Sequence, residues 1–258
     1  MPITRVSRRL APSNVSQTGA TVRGKFNFNL PRPDRIIGHW DAFAFSESIT
    51  SDDMGNVEKW ACIAEEAGDL EAAAAADEPD YLQHGMKTGY PAVIFYGDYL
   101  VAPNSFLNLT DFTIAWVFRA NTPGVRPCFS RRSDDTTEFD IYLVPDTHPM
   151  NPGALAVFDG SARMTTYFVD DDQIHSAVIN HSSAGNGQWG ISVDDSRTTF
   201  SSSLSGNAGE CLFGAYNSSD PSNKANNLRV GEIIVWDISL GTTNISNIHD
   251  YFDDRWDL

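Results

Sequence analysis

Short apolar and aromatic runs, separated by polar turn residues, dominate the chain from residue 91 to residue 238. The runs are rich in Val, Ile, Phe and Tyr and are bounded by Gly, Asn, Asp, Ser and Pro, the pattern of strands joined by turns. Such runs without helical segments between them indicate an antiparallel sandwich or barrel. They are AVIFYGDYLVA, FTIAWVFRA, RPCFSRR, EFDIYLV, ALAVFD, MTTYFVD, HSAVINHS, GQWGISVDD, CLFGAYN and RVGEIIVWDI.

The segment after these runs, from residue 242 to the end, has helical periodicity. Its apolar and aromatic residues recur three and four positions apart, so one face of the helix is apolar. Thr242 or Thr243 is the candidate N-cap. We expect the helix to pack this face on the end of the sandwich. The face comprises Ile245, Ile248, Tyr251, Phe252, Arg255 and Trp256.

A second, shorter helix is predicted in the acidic stretch from residue 65 to residue 81. Its sequence, EEAGDLEAAAAADEPDY, contains an alanine run, and Ala has the highest intrinsic helix propensity. Pro79 would end the helix, because proline breaks the hydrogen bonding of a helix interior.

The first 35 residues have no sustained periodicity and are basic, with no Asp or Glu before Asp34. We expect an extended basic arm over residues 1–35, followed by one domain over residues 36–258. The stretch GKFNFNL, residues 24–30, alternates like a strand that awaits a partner. The alternative is a disordered tail. The residues predicted to anchor the arm are Arg5, Arg8, Arg9, Arg23, Lys25, Phe26 and Phe28.

Composition and charge argue against several classes of function and partner. The hydrophobic content of 41% is that of a globular chain, and its 258 residues suit one sandwich domain. The net charge of −16 argues against nucleic acid as a partner, because phosphate binding needs clustered Lys and Arg. No apolar run reaches the ~20 residues of a membrane span, so we expect no membrane partner. The N-terminus has no apolar core of a secretory signal, so we expect synthesis in a cytoplasm.

Four stretches resemble, in order, the landmarks of the concanavalin A-like, laminin-G-type jelly-roll domains of bacteriophage and bacterial surface proteins. Those domains have a W-D-A opening, a G-N-x-V-x-x-W strand, a G-x-P-A-V-x-F-x-G-x-x-Y-L element, and a G-E-I-I strand followed by a closing helix. One family element, F-D-G-x-x-D-Y-L, is FYGDYL here, without the first Asp. The stretches are HWDAFAFSESITSDDMGNVEKW, DEPDYLQHGMKTGYPAVIFYGDYLVAP, LTDFTIAWVFRA and RVGEIIVWDISLGTTNISNIHDYFDDRWDL, within residues 36–258.

The resemblance implies an all-β concanavalin A-like sandwich, a fold that hosts lectins, glycosidases and structural modules. Together with the basic arm, it favours a bacteriophage structural protein, a capsid decoration or a tail or head fibre subunit. In that interpretation the arm binds other virion proteins, the jelly roll faces outward, and the chain forms a homo-oligomer on the virion. The alternative is a carbohydrate-binding lectin or adhesin module that recognises host-surface glycans.

The glycan-binding hypothesis points to two polar segments. Glycan sites combine an aromatic ring with hydrogen-bonding Asn, Asp and Gly residues, and the stretch NGQWGISVDD has that composition. It contains Asn186 and Trp189, although a core position for Trp189 is the competing interpretation. The polar stretch YNSSDPSNKANN contains Asn217 and Asn223 and is typical of an exposed loop tip.

Evidence for catalysis or metal binding is sparse in the sequence. A glycosidase of this fold would carry carboxylates along one strand as E-x-D-x-x-E, whereas here Glu138 and Asp140 are followed by Leu143. We therefore predict no catalytic site and no enzyme activity. Calcium is the ion that the acidic clusters would bind, because its ligands in proteins are oxygen atoms such as those of carboxylates. Asp170 and Asp172 are the favoured ligands.

Overall fold

The fold consists of two antiparallel β-sheets packed face to face, with a C-terminal helix. The computed structural model describes residues 30–44, 48–52, 54–64, 68–102, 109–121, 126–133, 136–145, 151–159, 161–204, 210–216 and 224–258. The elements are β1 (Ile36–Asp41), β2 (Ile49–Ser51), β3 (Val57–Trp60), β4 (Leu70–Ala72), β5 (Asp80–Lys87), β6 (Tyr90–Tyr96), β7 (Leu100–Ala102), β8 (Phe112–Ala120), β9 (Arg126–Ser133), β10 (Thr136–Leu143), β11 (Ala154–Phe158), β12 (Ala162–Phe168), β13 (Ile174–Ser182), β14 (Gln188–Val193), β15 (Ser196–Phe200), β16 (Glu210–Phe213), β17 (Asn226–Trp236) and α1 (Thr242–Trp256).

Within the described residues, sheet A has eight strands, in the order β15-β14-β13-β8-β17-β6-β5 with β1 also paired to β17. Sheet B has nine described strands in the order β12-β11-β10-β9-β16-β7-β4-β3-β2. Every strand pair within these sheets is antiparallel, so the predicted all-β sandwich is confirmed. The long strand β17 organises sheet A, because its first half pairs with β6 and its second half with β1, while β8 runs along its other side.

The main core fills the space between the two sheets. Along β8, Ile114, Trp116 and Phe118 belong to this core, and they alternate with Ala115 and Val117, which belong to a second apolar cluster. Since successive side chains of a strand point to opposite faces, the second cluster lies on the outer face of sheet A.

Helix α1 covers that outer face rather than the end of the sandwich, which corrects the predicted position of the helix. Its buried face is the predicted one, with Ile248, Phe252 and Trp256 packed into the second cluster. Gly241 is the N-cap and no side chain caps the helix, so Thr242 and Thr243 do not act as predicted. The helix shields apolar side chains of sheet A that would otherwise face water.

The second helix predicted from the alanine run is wrong for the part of it that the structure describes, residues 68–81. Leu70 begins β4, which pairs with β3 on one side and β7 on the other. A short 3₁₀ turn follows at Ala75–Asp77, and Asp80 begins β5. Burial of Leu70 in the main core and pairing of its neighbours outweigh the helix propensity of alanine.

Packing begins before the predicted boundary at residue 36. Leu30 is buried in the second cluster, and the carbonyl of Pro31 accepts a hydrogen bond from Trp236 Nε1 at 2.9 Å. Arg35 forms an ion pair with Asp237 at 2.7 Å. Leu30, Pro31 and Arg35 therefore pack against the sandwich. The predicted anchoring residues, Arg5, Arg8, Arg9, Arg23, Lys25, Phe26 and Phe28, lie outside the described residues.

Candidate functional site

A surface pocket of about 420 Å³ lies where β13 ends and β14 begins. This volume is within the range of small-ligand sites, ~300–1,000 Å³. The turn between the two strands forms one side of the pocket, and Ser203 and Leu204, after β15, form the other. The lining residues are His181, Ser183, Gly185, Asn186, Gly187, Ser203 and Leu204.

Two glycines give the β13–β14 turn its shape. Gly185 and Gly187 have φ values of 69° and 79°, in the left-handed region that glycine adopts without steric cost. At Gly187, a Cβ atom would lie 2.3 Å from the carbonyl oxygen of Ser202, so only glycine lets the turn approach the opposite wall. The turn presents the exposed Asn186 between these two glycines.

Asp111 fixes the first residue of the turn. Its carboxylate accepts the backbone N–H of Ser183 at 3.0 Å and the Ser183 hydroxyl at 2.6 Å. The hydrogen bond from the Ser183 side chain lowers the pKa of Asp111 below its ordinary value, so the carboxylate is ionised at neutral pH. The turn is therefore held in place before any ligand binds.

The floor of the pocket is His181, which is buried. Its Nδ1 lies 2.5 Å from the carbonyl oxygen of Thr110, and its Nε2 lies 3.1 Å from that of Ser202. Both ring nitrogens therefore lie beside backbone carbonyl oxygens. The exposed polar residues of the lining are Ser183, Asn186 and Ser203, which are uncharged.

Trp189 does not line this pocket, which corrects its prediction as a glycan-stacking residue. Its side chain is 1% exposed and lies in the main core. The ring packs 4.8 Å from His181 and 5.7 Å edge-on to Phe112, measured between ring centroids. Trp189 therefore supports the floor from below, as the competing interpretation has it. Of the other predicted glycan-binding residues, Asn217 and Asn223 lie outside the described residues.

The predicted calcium ligands do not form a cation site as a pair. Both carboxylate oxygens of Asp172 bind the guanidinium of Arg119, at 2.7 Å each. This contact lowers the pKa of Asp172, and it occupies the oxygens that a cation would need. Asp172 is therefore committed to Arg119, and Asp170 would have to bind a cation without it.

A buried group of His39, Asp41 and Glu232 has the donor atoms of a metal site, all within 4.8 Å of one another. Arg255 of α1 occupies the same place. Its Nε lies 2.9 Å from Glu232 Oε2 and its Nη2 contacts Asp41, while Trp256 Nε1 donates to Glu232 at 3.0 Å. A cation would meet this guanidinium, so the group attaches the helix to sheet A.

The helix makes a second polar attachment through His249. Its Nδ1 lies 2.7 Å from the hydroxyl of Ser176 and its Nε2 lies 2.8 Å from that of Ser192. Both serines are buried, so neither can reach a substrate as a nucleophile. Burial lowers the pKa of His249, and the neutral ring bridges the two hydroxyls.

The carboxylates on β10 do not face an open cleft as a pair. Asp140 is buried, at 3% exposure, which removes it from contact with a polysaccharide. The side chain of Glu138 lies outside the described side chains. No helix in the described part of the chain is long and apolar enough to cross a membrane.

No protein-family model matches the sequence, and no curated protein matches it either. Solved structures share the fold. Domain 4 of the extracellular arabinanase AbnA from Geobacillus stearothermophilus, in complex with arabinotriose, has a TM-score of 0.60 and 10% identity, covering 83% of this chain and 98% of that domain. Trypanosoma rangeli sialidase in complex with sialic acid has a TM-score of 0.59 and 11% identity, over 86% of this chain but 34% of the sialidase.

The receptor-binding domain of botulinum neurotoxin type G is also similar, with a TM-score of 0.56 and 10% identity. The match covers 84% of this chain and 51% of that one. At such identities the likenesses establish the β-sandwich fold and nothing finer. None of these three proteins is a virus structural protein, so the comparisons do not support the virion interpretation of the sequence.

Proposed function

We propose that the chain is a non-enzymatic carbohydrate-binding module and that the pocket at the β13–β14 turn binds the sugar. The observation that carries this proposal is the pocket itself, whose lining includes the uncharged polar residues Ser183, Asn186 and Ser203. The Asn186 amide and the Ser203 hydroxyl can donate and accept hydrogen bonds, and the Ser183 hydroxyl, whose proton is donated to Asp111, can still accept one, which matches the hydroxyl groups of a sugar. The likeness to an arabinanase domain bound to arabinotriose adds support for a glycan ligand.

The pre-ordered turn suits binding rather than catalysis. Ser183 is held by Asp111, and Asn186 lies between two glycines with left-handed backbones, of which Gly187 packs closely against the backbone of Ser202. A site that is formed before the ligand arrives loses less conformational entropy on binding. The described lining residues include no carboxylate, and retaining or inverting glycosidases use two. The described lining thus has hydrogen-bonding groups that can recognise a sugar, and it lacks the two carboxylates that a glycosidase uses for hydrolysis.

The test is a glycan array with the full chain, followed by calorimetric titration of the tightest-binding oligosaccharide. The double variant Ser183→Ala/Asn186→Ala is expected to weaken binding, since each lost hydrogen bond contributes about 0.5–1.5 kcal/mol. Asn247→Ala, which removes an exposed amide on α1, is the matched control and is expected to leave the affinity unchanged. Unchanged binding by the double variant would refute the pocket as the site.

A further inference from the structure

We propose that Tyr96 forms a second sugar-binding subsite, at the end of sheet A opposite the pocket, and that this subsite takes the uncharged ring of a neutral sugar. The proposal rests on the proposed function of the chain as a carbohydrate-binding module. Tyr96 is the last residue of β6 and its side chain is 53% exposed. It shares a strand face with Ala92 and Ile94, which are buried in the cluster beneath α1. Tyr96 therefore continues that face beyond the cover of the helix.

The hydroxyl and the backbone of Tyr96 are both hydrogen-bonded. Its hydroxyl donates to Asn227 Oδ1 at 3.2 Å, and its backbone N–H donates to Asp98 Oδ2 at 2.8 Å. Asn227 has a left-handed backbone, with φ 57°, and its side-chain amide donates to the Asn121 carbonyl at 3.0 Å. An exposed aromatic ring that is already fixed offers contact area at little cost in conformational entropy. The C–H face of a sugar ring matches the flat apolar surface that such a tyrosine presents.

Hydrogen-bonding groups surround the ring. Arg229 Nε donates to the same Asn227 oxygen at 3.3 Å, and its Nη1 donates to the Gly85 carbonyl at 2.9 Å. A guanidinium has five N–H donors, and these two bonds leave donors for sugar hydroxyls. Asp98, two residues after Tyr96, adds a carboxylate that accepts hydroxyl protons. The ring thus lies beside both a donor and an acceptor.

The charges around the ring favour a neutral ligand. Among the described residues, Arg229 forms no ion pair of its own; it acts electrostatically on Asp172, which is paired with Arg119, so one positive charge remains. Asp98 and the exposed Asp80, whose backbone pairs with Ile94 beside the ring, contribute two negative charges, while Lys224, which also acts on Asp98, is paired with Asp77. Arg119, next to Arg229 on β8, is neutralised by Asp172. The local balance is negative, which would repel the carboxylate of an acidic sugar.

The two subsites are too far apart for one small sugar. Strand β8 runs from Phe112, which pairs with His181 at the pocket, to Ala120, which pairs with Leu228 near Tyr96. Eight residue steps at about 3.4 Å each span about 27 Å. Each subsite therefore binds its own sugar unit, and a polysaccharide that contacts both gains avidity over either alone.

The experiment is native mass spectrometry of the full chain with arabinotriose, cellotriose and maltotriose as neutral probes and sialyllactose and trigalacturonate as acidic probes. The wild-type chain is expected to bind two copies of a neutral probe. Tyr96→Ala and the pocket variant Ser183→Ala/Asn186→Ala are each expected to bind one copy. Tyr167→Ala, which removes another exposed tyrosine on β12 of sheet B, is the matched control and should still bind two. Unchanged melting temperatures verify that the variants fold.

The outcomes separate the two proposals. If the wild-type chain binds one copy, and only the pocket variant loses it, the Tyr96 subsite is overturned while the pocket stands. If only Tyr96→Ala loses it, the pocket proposal fails and the Tyr96 subsite stands. Binding of none of the probes overturns both. Preference of the Tyr96 subsite for the acidic probes, seen in the pocket variant, overturns its assignment to neutral sugars.

Discussion

Replacing Arg255 with Ala is expected to destabilise the protein severely, because it leaves two buried carboxylates without their cation. Asp41 and Glu232 are 1% and 0% exposed, and Arg255 contacts both. Removing one partner from a buried ion pair costs about 3–5 kcal/mol. For a domain of this size each kcal/mol lowers the melting temperature by roughly 2–4 °C, so the expected loss is about 6–20 °C.

The loss is also expected to depend on pH. Burial alone would raise the pKa of Glu232, but Arg255 and the hydrogen bond to His39 lower it to about 2. In the folded protein this pKa is below the ordinary value of 4.5, so the stability gained is present above pH 4.5 and lost as the pH falls toward 2. Without Arg255 the carboxylate is protonated more readily, so the deficit relative to wild type is largest near pH 7 and shrinks near pH 4.

Urea unfolding followed by tryptophan fluorescence, at pH 7 and pH 4, measures both effects. Arg255→Lys retains the charge but not the forked geometry, so it should lose less stability than Arg255→Ala. Arg32→Ala breaks the exposed pair with Asp34, whose side chains are 50% and 63% exposed, and should change stability little. A loss below about 1 kcal/mol for Arg255→Ala, or an equal loss at both pH values, would refute this account of the helix attachment.

Three further substitutions test the packing and the pH response. Gly231→Ala places a Cβ 2.2 Å from the Trp256 ring and should cost about 1–3 kcal/mol in urea unfolding; a neutral effect would contradict the tight helix contact. Trp189→Ala should cost about 3–5 kcal/mol in the same assay, and a fully stable variant would contradict its core position. Because the folded-state pKa of His249 lies below 6.5, wild type should lose stability as pH falls below 6.5; His249→Gln should lose less, and parallel pH curves would contradict this.

The sandwich was predictable because strand patterns are local. Runs such as FTIAWVFRA and RVGEIIVWDI alternate between two buried faces, and they became the central strands β8 and β17. The periodicity of α1 likewise identified its buried face. It did not identify the surface that this face covers, because a hydrophobic stripe carries no information about its partner. That partner, the outer face of sheet A, was decided by packing between residues far apart in the sequence.

The candidate site was predictable only in part. Asn186 was identified because it lies in a polar, glycine-containing turn, and the structure places it in the pocket. Asp111, which holds Ser183, and Ser203, which lines the pocket, could not be identified, since pairing of the strands beside them brings both to the turn from other parts of the sequence. Trp189 was assigned to a glycan site because a tryptophan near glycines has the same local sequence pattern in an exposed turn as in a core strand.

The Tyr96 subsite was missed for a related reason. Tyr96 lies within the run AVIFYGDYLVA, and a tyrosine in an apolar run is normally taken as part of a buried strand. Gly97, with φ 87°, ends β6 at this point, and the chain crosses to β7 in the other sheet. The exposure of Tyr96 depends on where α1 stops covering sheet A, which no local pattern records.

The most direct test of carbohydrate binding is a crystal structure of the full chain with the oligosaccharide that binds most tightly on a glycan array. The account predicts a sugar ring in the pocket, with its hydroxyls hydrogen-bonded to Ser183, Asn186 or Ser203. A sugar bound elsewhere while the pocket holds only solvent, or no oligosaccharide bound in solution at all, would contradict it.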